Sequence, residues 1–557
     1  MRKVFRYRNV SRNDAVEFAI KAQINETFAL LLLNRGINDG EDAKRFVHTN
    51  ARDVGDPFLL EDMERAVERI KQALADKEHV TVYGDYDADG ITATVIMLKC
   101  LEKLGICADH YIPSRTREGY GLHTGAVKAI KERGTTLIIT VDLGITAASE
   151  VEYAKKLGID IIITDHHHPF DKIPSCPVIN PKRADDGYPF IGLAGVGVAF
   201  KLACALCGYE EMRNYLDLVC LGTVADIVPL LGENRFYVKQ GLSSIADTKN
   251  LGIASLIKYA GYEGKPINSS AVAFTLTPRI NSAGRMGDAE TALRLLMTGD
   301  GQTADELALQ LCETNMRRQD TEQEILNQVI SIIESDERYK SDKVLVVAGD
   351  GWHPGVIGIV AARLTDRYYK PAVLLTYDGD FAHGSARSIE GFDIFGALCA
   401  ADLYIEKFGG HTKAAGLTVK RNNIENFTKV INEAADVVLT EELLTPYIMI
   451  DCELDPAEAT VKFTEKLEYF EPYGEGNPQP VFSMCGVEVI ESAPTRDGKH
   501  LRMKVKKNGI SFICIGFHMG DEKIEAGSLV DVAFNIIINE YKGSKNVNLV
   551  LKGVLYG

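Results

Sequence analysis

The stretch VTVYGDYDADGITATVIMLK (residues 80–99) decides the fold, because a short β-rich apolar run passes through an acidic turn into a helical pattern. The same alternation recurs along the chain on both sides of it. Four strand-like runs are separated by helical patterns: HVTVYGD, ADHYIP, TTLIITVD and IDIIITDHH. Short apolar strands that alternate with helices predict an α/β fold, a parallel sheet with helices on both faces.

The remaining sequence of this 557-residue chain predicts further domains around that sheet. The parallel-sheet domain is assigned to 61–240, after an irregular, partly helical lead-in over 1–60. Helical patterns fill 241–340, and ADELALQLCETNMRRQDTEQEILNQVISIIES is long enough to bridge two domains. A second, smaller α/β unit is expected over 341–445. Short strands over 446–557 predict a C-terminal OB-like β-barrel.

Composition narrows the class of protein. Hydrophobic residues make up 46% of the chain and charged residues 25%, and with no long apolar window the sequence predicts a soluble, cytoplasmic protein without membrane contact. The eleven cysteines are scattered, which fits a reducing compartment. Cys204 and Cys207 form a CxxC that is interpreted as part of a core helix. The net charge of −16 argues only modestly against nucleic acid, since phosphate binding depends on local basic surface.

Four segments place acidic or imidazole groups where an apolar run ends. They are VTVYGDYDADG (80–90), LIITVDLG (137–144), IIITDHHHP (161–169) and CLGTVADIVPL (220–230). Each is interpreted as a strand or turn that delivers its polar residues to one sheet edge. Ligands of open α/β sheets bind at the carboxyl ends of the strands, so we expect these residues to converge.

The residue types indicate metal chemistry. Carboxylates and imidazoles are ligands for manganese and magnesium, and several buried aspartates together require a cation. Two metal ions close together can activate a water, clamp a phosphoryl group and stabilise a leaving oxygen. The pattern therefore predicts a two-metal phosphoesterase that uses Mn²⁺ or Mg²⁺.

Each segment alone has another interpretation. DxDxDG resembles the start of a calcium loop, although no acidic twelfth position follows. Asp142 could be a helix N-cap, and the three histidines could be a surface tract. The joint occurrence of the four segments carries the prediction.

These segments resemble the motifs of the DHH phosphoesterase superfamily, named for the triplet Asp165-His166-His167. Its four motifs are resembled, in chain order, by GDYDADG, VDLG, TDHHHP and TVADIVPL. Further segments resemble the exonuclease branch of the superfamily, so that the likeness spans roughly 25–555: IPSRTREGYGL, LAGVGVAFK, TPRINSAGRMGDA, GWHPGVIGIVAARL, GSARS, FGGHTKAAG and YGEGNPQPVF. The resemblance implies a DHH catalytic domain, a long helical connector, a DHH-associated substrate domain and an OB-fold domain that binds nucleic acid.

The resemblance also implies roles for residues of the sheet edge. The implied metal ligands are Asp85, Asp87, Asp142, His166 and Asp226, with Asp142 bridging two ions. His167 would face the phosphate or support the ligands, and Asp89 would support the first loop.

Two residues depart from the family pattern. Tyr83 stands where many relatives have a histidine, which implies one protein ligand fewer for one metal. Leu143 follows the second-motif aspartate, where relatives often have a small residue or cysteine, and this is expected to change packing only.

Basic residues outside the sheet edge predict how a phosphate end is held. The GSARS loop offers Ser385, Arg387 and backbone N–H groups to a 5′-phosphate. Arg115, Arg279 and Arg285 are candidate strand contacts, with surface salt bridges as the alternative. His411, beside paired glycines, is a candidate neighbour of the scissile phosphate, with a loop hydrogen bond as the alternative.

The barrel adds an independent indication. In RDGKHLRMKVKK (496–507), Arg502, Lys504 and Lys506 alternate with apolar residues and so share one strand face. A basic face on an OB-type barrel suits single strands; a solvated edge strand is the alternative. Tyr473 and Trp352 are interpreted as packed side chains rather than base platforms.

Taken with these features, the resemblance implies an exodeoxyribonuclease specific for single-stranded DNA. The resemblance implies 5′→3′ release of mononucleotides from a 5′-phosphate end, in repair and recombination. A helicase or a single-strand-binding protein is a candidate partner, and a monomer is the default. One alternative is a small-substrate DHH phosphodiesterase of the oligoribonuclease or cyclic-dinucleotide type. The other is a non-catalytic scaffold.

Overall fold

The N-terminal segment is more structured than an irregular lead-in. The structure is a computed structural model that describes residues 3–115, 117–170 and 172–556. Strand β1 is followed by helices that carry a small apolar face, where Phe18, Leu31 and Phe46 are buried. The elements are β1 (Val4–Tyr7), α1 (Arg12–Ala22), α2 (Glu26–Leu33), α3 (Gly40–Val47) and 3₁₀ turns at Ala51–Asp53 and Pro57–Leu59.

The predicted parallel sheet is confirmed. Its strand order is β3-β2-β4-β5-β6, and all neighbours are parallel. Strands β2 and β4 are buried along their whole length because helices cover both faces. The elements are α4 (Met63–Asp76), β2 (Val80–Tyr83), α5 (Ala88–Leu104), β3 (Ala108–Tyr111), α6 (Thr124–Glu132), β4 (Leu137–Val141), α7 (Ala148–Lys156), β5 (Asp160–Thr164), β6 (Val178–Ile179), α8 (Gly195–Cys207), α9 (Tyr209–Met212) and α10 (Leu216–Ala225).

The helical connector is confirmed, including one helix of 35 residues, α16. Its buried Glu322 accepts from Arg318 and pairs with Arg363 of the next domain. The elements are α11 (Gly232–Ala246), α12 (Leu251–Tyr259), α13 (Ser269–Ala271), a π-helical turn (Val272–Leu276), α14 (Thr277–Met286), α15 (Ala289–Met297), α16 (Gly301–Ser335) and α17 (Arg338–Ser341). Over the described ranges, no helix combines the length and the apolar character needed to cross a membrane.

The second α/β unit is a mixed sheet of order β10-β11-β9-β8-β7, in which only β7 and β8 run parallel. Here one prediction was wrong. GSARS is part of strand β9, paired on both sides, so its backbone N–H groups serve the sheet rather than an anion. The elements are β7 (Leu345–Gly349), α18 (Pro354–Tyr368), β8 (Ala372–Asp378), β9 (Phe381–Arg387), α19 (Ile394–Ala400), β10 (Ile405–His411), β11 (Ala414–Lys420) and α20 (Ile424–Val438).

The C-terminal barrel is confirmed as well. Its sheet runs β13-β14-β15-β16-β18-β17, and pairing of β14 with β17 closes it. Strand β12 pairs in parallel with β1 instead, with Val4 opposite Tyr447. The elements are β12 (Tyr447–Ile450), β13 (Cys452–Glu453), α21 (Val461–Leu467), β14 (Phe482–Pro494), β15 (Leu501–Lys507), β16 (Ile510–Gly516), β17 (Leu529–Tyr541) and β18 (Ser544–Tyr556).

One arginine joins three parts of the chain. Arg235 of α11 is 1% exposed and donates to the carbonyl oxygens of Phe46, Tyr469, Phe470 and Glu471 at 2.7–3.1 Å. Its guanidinium lies 3.8 Å from the centroid of the Phe46 ring. This buried side chain therefore links the N-terminal segment and the start of the barrel to the connector, together with the bonds from Lys239 to Val47 and from Ser269 to Tyr473.

Candidate functional site

Three of the four acidic segments lie where the sequence predicted, at the carboxyl ends of neighbouring strands. Asp85 follows β2, Asp142 follows β4, and the Asp165-His166-His167 triplet follows β5. The fourth segment corrects the expectation, because Asp226 ends helix α10 rather than a strand. The apolar run before Asp226 is short enough to suit either element, and the end of the helix brings the Asp226 Oδ2 atom to 3.5 Å from His166 Nε2.

The backbone at Asp142 is held in an unusual conformation. Its φ is +64°, a region that costs free energy for a residue with a side chain. Gly195, the first residue of α8, lies so close that a Cβ there would be 2.4 Å from the Asp142 Oδ1 atom. The start of α8 and the end of β4 therefore fix this carboxylate against the sheet edge.

The converging side chains form overlapping clusters with spacing suited to metal ions. In each cluster the potential ligand atoms lie within 4.8 Å of one another. One consists of Asp85, Asp87 and Asp142, and a second of Asp142, His166 and His167. A third joins Asp89, His166 and Asp226. Because Asp142 belongs to two clusters, it is placed where a bridging carboxylate would stand.

The hydrogen bonds and pKa values of the clustered carboxylates indicate whether these residues fit metal ions. Within the described residues, one oxygen each of Asp85, Asp142 and Asp226 is buried without a hydrogen-bond partner. Burial first, and then neighbouring carboxylates, raise the pKa of these three groups well above the usual aspartate value. Buried, unpaired and mutually repelling carboxylates need a cation, so this donor set fits Mn²⁺ or Mg²⁺.

His166 has the properties of a metal ligand. Its Nε2 atom lies 3.2 Å from Asp142 Oδ1 and 3.5 Å from Asp226 Oδ2. Burial lowers the pKa of His166 to about 3, so the ring is neutral at neutral pH. Both ring nitrogens lack a hydrogen-bond partner in the described part of the chain. A neutral imidazole turned toward two carboxylates can coordinate a cation between them.

Asp165 acts as a support that the sequence did not single out. It is fully buried and accepts hydrogen bonds from the backbone N–H groups of Ile145, His166 and His167. Burial alone would raise its pKa, but the bond and charge of His167 hold the pKa of Asp165 below the usual value. This carboxylate therefore organises the turn that presents both histidines.

Asp89 has a structural task besides any catalytic one. It is buried and accepts from the backbone N–H groups of Gly195 and Val196 at 2.7 and 2.8 Å. Burial, followed by the charge of Asp87, raises the pKa of Asp89 to about 7. The carboxylate ties α5 to the start of α8, which agrees with the supporting role implied by the resemblance.

An arginine cluster lies beside the acidic site. Burial and then the charges of Arg115 and Arg387 lower the pKa of Arg285 to about 10. The pKa of Arg387 is lowered by burial and by Arg115, and Arg387 donates to Ser385 Oγ at 3.0 Å. The positive charge of Arg115 opposes the rise in the pKa of Asp85, and the negative charge of Asp87 opposes the fall in the pKa of Arg285. The Arg115 guanidinium lies 5.1 Å from the centroid of the Tyr86 ring, and Gly284, the neighbour of Arg285, lies against the Tyr86 carbonyl. Because Tyr86 stands between Asp85 and Asp87, both arginines lie near the first acidic loop, where an anion would relieve the repulsion among the positive charges.

Arg279 contacts the helical connector instead of joining this arginine cluster. Its guanidinium donates to the Thr275 carbonyl and to Cys312 Sγ, both on the helical connector. These bonds favour a packing role, and a strand contact by Arg279 remains only a prediction.

His411 lies near both groups of residues, at the exposed end of β10. Burial, Arg387 and Lys413 lower the pKa of His411, with smaller contributions from His167 and His168. Its Nδ1 atom accepts from the Lys413 backbone at 3.3 Å, the loop hydrogen bond that was the alternative. Gly410 allows β10 to approach β11, since a Cβ there would lie 2.4 Å from the Ala414 carbonyl oxygen.

The basic strand of the barrel has the predicted alternation but not a purely basic face. Arg502 and Lys506 are exposed on β15, between buried apolar residues. Lys504 lies opposite Glu491, and Lys506 lies opposite Glu488. These exposed carboxylates of β14 offset part of the positive charge on this face.

The two departures from the family pattern are both buried. The Tyr83 hydroxyl donates to the Gly121 carbonyl at 3.1 Å, and its ring stacks on Tyr111 at 5.1 Å. Leu143 packs in the apolar cluster beneath the sheet.

The side chains assigned to packing lie as expected. Trp352 is 4% exposed and donates to Gln328. Tyr473 donates to the Leu467 carbonyl.

Sequence reasoning missed several neighbours of the site. The Tyr120 hydroxyl donates to the Asp142 carbonyl and lies 3.0 Å from His167 Nδ1. Asn281 accepts from the Ala88 N–H group at the start of α5, and Lys182 is a half-buried cation near Asp226. Tyr120 and Asn281 lie inside the resembling segments, which was the only signal available.

Family models match the chain in three places. The DHH family, N-terminal domain, matches residues 79–223. The DHHA1 domain matches 341–436, and the RecJ OB domain matches 450–553.

Full-length relatives and a solved structure agree with these matches. Single-stranded-DNA-specific exonuclease RecJ of Bacillus subtilis is 40% identical, over 95% of this chain and 68% of its own. The Escherichia coli exonuclease of the same name is 33% identical over 96% of each chain. The crystal structure of RecJ in complex with Mn²⁺ from Thermus thermophilus aligns with a TM-score of 0.85 at 29% identity, covering 100% of this chain and 80% of that one.

Proposed function

Since the chain belongs to the RecJ family of single-stranded-DNA-specific exonucleases, we propose that it removes nucleotides from the 5′ end of single-stranded DNA by phosphodiester hydrolysis. The observation that carries this proposal is the proximity of two groups of opposite charge. Buried carboxylates around Asp142 lie beside the guanidinium groups of Arg115, Arg285 and Arg387. Such a site can hold cations and a phosphate next to one another.

The metal-binding side is assigned to Asp85, Asp87, Asp142, His166 and Asp226, with Asp142 shared. Two divalent ions bound there would supply a water nucleophile at neutral pH and neutralise charge at the phosphate. The protein's own contribution is orientation. Asp165 and Asp89 fix the loops that carry these ligands, so the oxygens are in place before a metal binds.

The phosphate-binding side would determine that degradation starts at the 5′ end. Arg387 and Ser385 are adjacent on β9 and hydrogen-bonded to one another, and a guanidinium beside a hydroxyl suits a terminal phosphate with two charges. We assign the 5′-phosphate to this pair. The next phosphate is the scissile one when a mononucleotide leaves, and we assign it to Arg115, Arg285, His167 and His411.

The test is a nuclease assay on single strands labelled at either end, with and without Mn²⁺. We expect metal-dependent loss of nucleotides from the 5′ end only, and little cleavage of a blunt duplex. Loss from the 3′ end, or cleavage without added metal after chelation, would contradict the proposal. A dinucleotide cut faster than a 30-mer would instead assign the chain to the small-substrate enzymes.

A further inference from the structure

A groove lies beside the metal-binding cluster and is not used by the proposed catalytic step. Its volume is about 520 Å³. It lies between the end of α10, the π-helical turn before α14 and the loop that leads into the barrel. Its lining includes Ile227, Phe274, Asn281, Arg285, Tyr473 and Gln479. The candidate metal ligands do not line the groove, but Ile227 follows Asp226 directly and Arg285 lines it as well, so the groove lies beside the site.

Phe274 is displayed in this groove by an unusual helical turn. Residues Val272–Leu276 form a π-helix, a rare structure that is found mostly at functional sites. The Phe274 side chain is 81% exposed, and over the described residues its ring contacts no other aromatic ring. Such an exposed ring contributes little to the stability of the fold, so its position is better explained by contact with a bound ligand.

Ile227 is displayed by a second unusual conformation. Its φ is +60°, where a β-branched side chain is a genuine outlier. The side chain is nevertheless 71% exposed, so burial does not offset this strain. Two independent segments thus hold large apolar side chains in solvent along one groove. Strain of this kind is retained at binding sites.

The chemistry of the groove indicates an unpaired nucleobase as the occupant. A base has apolar faces and polar edges, and the groove combines Phe274 and Ile227 with the polar groups of Asn281 and Gln479. Arg285 also lines it and is part of the arginine cluster that faces phosphate. Its volume falls in the range of nucleotide-sized sites. In a duplex the base faces are already stacked, so only a single strand can use such a surface.

We propose that Phe274 stacks on a base of the single strand next to the terminal nucleotide and that Ile227 packs against the neighbouring base. The pair would set the register of the strand, so that one phosphate at a time reaches the carboxylates. This inference rests on the proposed function, because it assigns the path that the strand follows beyond the 5′ end. Both side chains are positioning residues and contact no reacting atom.

The kinetic test compares two 5′-phosphorylated 20-mers in Mn²⁺, one with all bases and one abasic at nucleotides 2–5. For Phe274→Ala we expect KM on the complete strand to rise roughly 5- to 100-fold, with a smaller change in kcat. Phe274→Trp should retain a low KM. On the abasic strand, the wild type and Phe274→Ala should be equally poor. The control is Leu403→Ala, since Leu403 is 90% exposed but lies outside the groove.

Two results would overturn the proposal. One is that Phe274→Ala has the same KM as the wild type on both strands. The other is that Phe274→Ala raises KM on the abasic strand as much as on the complete strand, which would assign the ring to a sugar, a phosphate or a protein partner. Ile227→Gly provides a second test, because glycine tolerates the positive φ. We expect unchanged Mn²⁺ affinity and thermal stability with a raised KM, and a lowered Mn²⁺ affinity would assign Ile227 to the metal site instead.

A binding measurement separates this proposal from the exonuclease assignment. In EDTA, a strand with 2-aminopurine at nucleotide 2 should change its emission on binding the wild type, and Phe274→Ala should reduce that change. If the wild type cuts neither strand in Mn²⁺ but the emission change depends on Phe274, the exonuclease proposal fails and the base contact stands. If the emission change is the same in both proteins, the base contact fails.

Discussion

The Nδ1 atom of His167 lies 2.8 Å from the Oδ1 atom of Asp165, a carboxylate that is fully buried and also accepts two backbone N–H groups of the same turn. This pair fixes the ring orientation of His167, while its side chain remains 44% exposed. A buried aspartate that orients a histidine is a recurring support of metal sites.

Asp165→Asn should therefore lower kcat by about 10- to 100-fold, because its NH2 group must face either the His167 turn or the Ile145 N–H group, and it can accept from neither. The buried N–H group left without an acceptor should lower the free energy of unfolding by about 1–3 kcal/mol. Asp378→Asn, at an exposed position, serves as the control with no change. Unaltered turnover in Asp165→Asn would show that the ring needs no such support.

Asp142→Asn should abolish Mn²⁺ binding at the shared position while the fold persists. Asparagine tolerates the positive φ of this residue and removes one of several buried, mutually repelling carboxylates. In EDTA the variant should be at least as stable as the wild type. Mn²⁺ at 100 times its Kd should stabilise the wild type by about 2.7 kcal/mol but leave the variant unchanged. Calorimetry and thermal unfolding measure both effects, and an equal Mn²⁺ shift in the variant would refute the bridging role.

Arg387→Gln should act selectively on phosphorylated ends. Loss of a charge-assisted hydrogen bond should lower kcat/KM for 5′-phosphorylated strands by about 10- to 100-fold, with less effect on 5′-hydroxyl strands. Arg279→Gln is the matched control, since its bonds go to Thr275 and Cys312, and it should affect both strands alike. An equal loss on both strands for Arg387→Gln would remove the terminal phosphate from its assignment.

Lys504 and Glu491 give a paired test of the barrel face, because they lie opposite each other on β15 and β14. If this face contacts DNA, Lys504→Ala should weaken binding of a 30-mer and reduce the salt slope by about 0.7. Glu491→Gln should strengthen binding, since it removes a negative charge from the same surface. Titrations at several salt concentrations measure both, and no change in either variant would identify the strand as a solvated edge.

Arg235→Met should destabilise the protein through the interdomain junction. The change leaves several buried carbonyl oxygens without a donor, which we expect to cost at least about 3 kcal/mol. Arg12→Met, at a position 84% exposed, should change the free energy of unfolding by less than about 0.5 kcal/mol. Urea unfolding followed by fluorescence compares the variants. A midpoint for Arg235→Met equal to that of the wild type would show that water replaces the guanidinium.

The sequence was most informative where one local pattern suffices. Strands β2, β4 and β5 are short, mainly apolar runs, and parallel neighbours end at the same edge of a sheet. The sequence therefore predicted that Asp85, Asp142 and His166 lie close together. The long helix α16 was equally readable from its period.

Features that depend on partners distant in the chain could not be predicted. The small residues of β9 carry little strand signal, and only pairing with β8 and β11 makes GSARS a strand. Arg235 looks like any surface arginine until the carbonyl groups of residues 46 and 469–471 surround it. The run before Asp226 suited both helix and strand, and the structure places it in helix α10, packed among α5, α8 and α11.

The parallel pairing of β1 with β12 has a consequence for biosynthesis. Residues 4–7 leave the ribosome long before 447–450 exist, and at 5–20 residues per second the delay is roughly 20–90 s. During that time the apolar faces of α1 to α3, which finally pack on the barrel, have no surface to cover them. We therefore expect these helices to expose apolar surface in the nascent chain until the last domain has been synthesised.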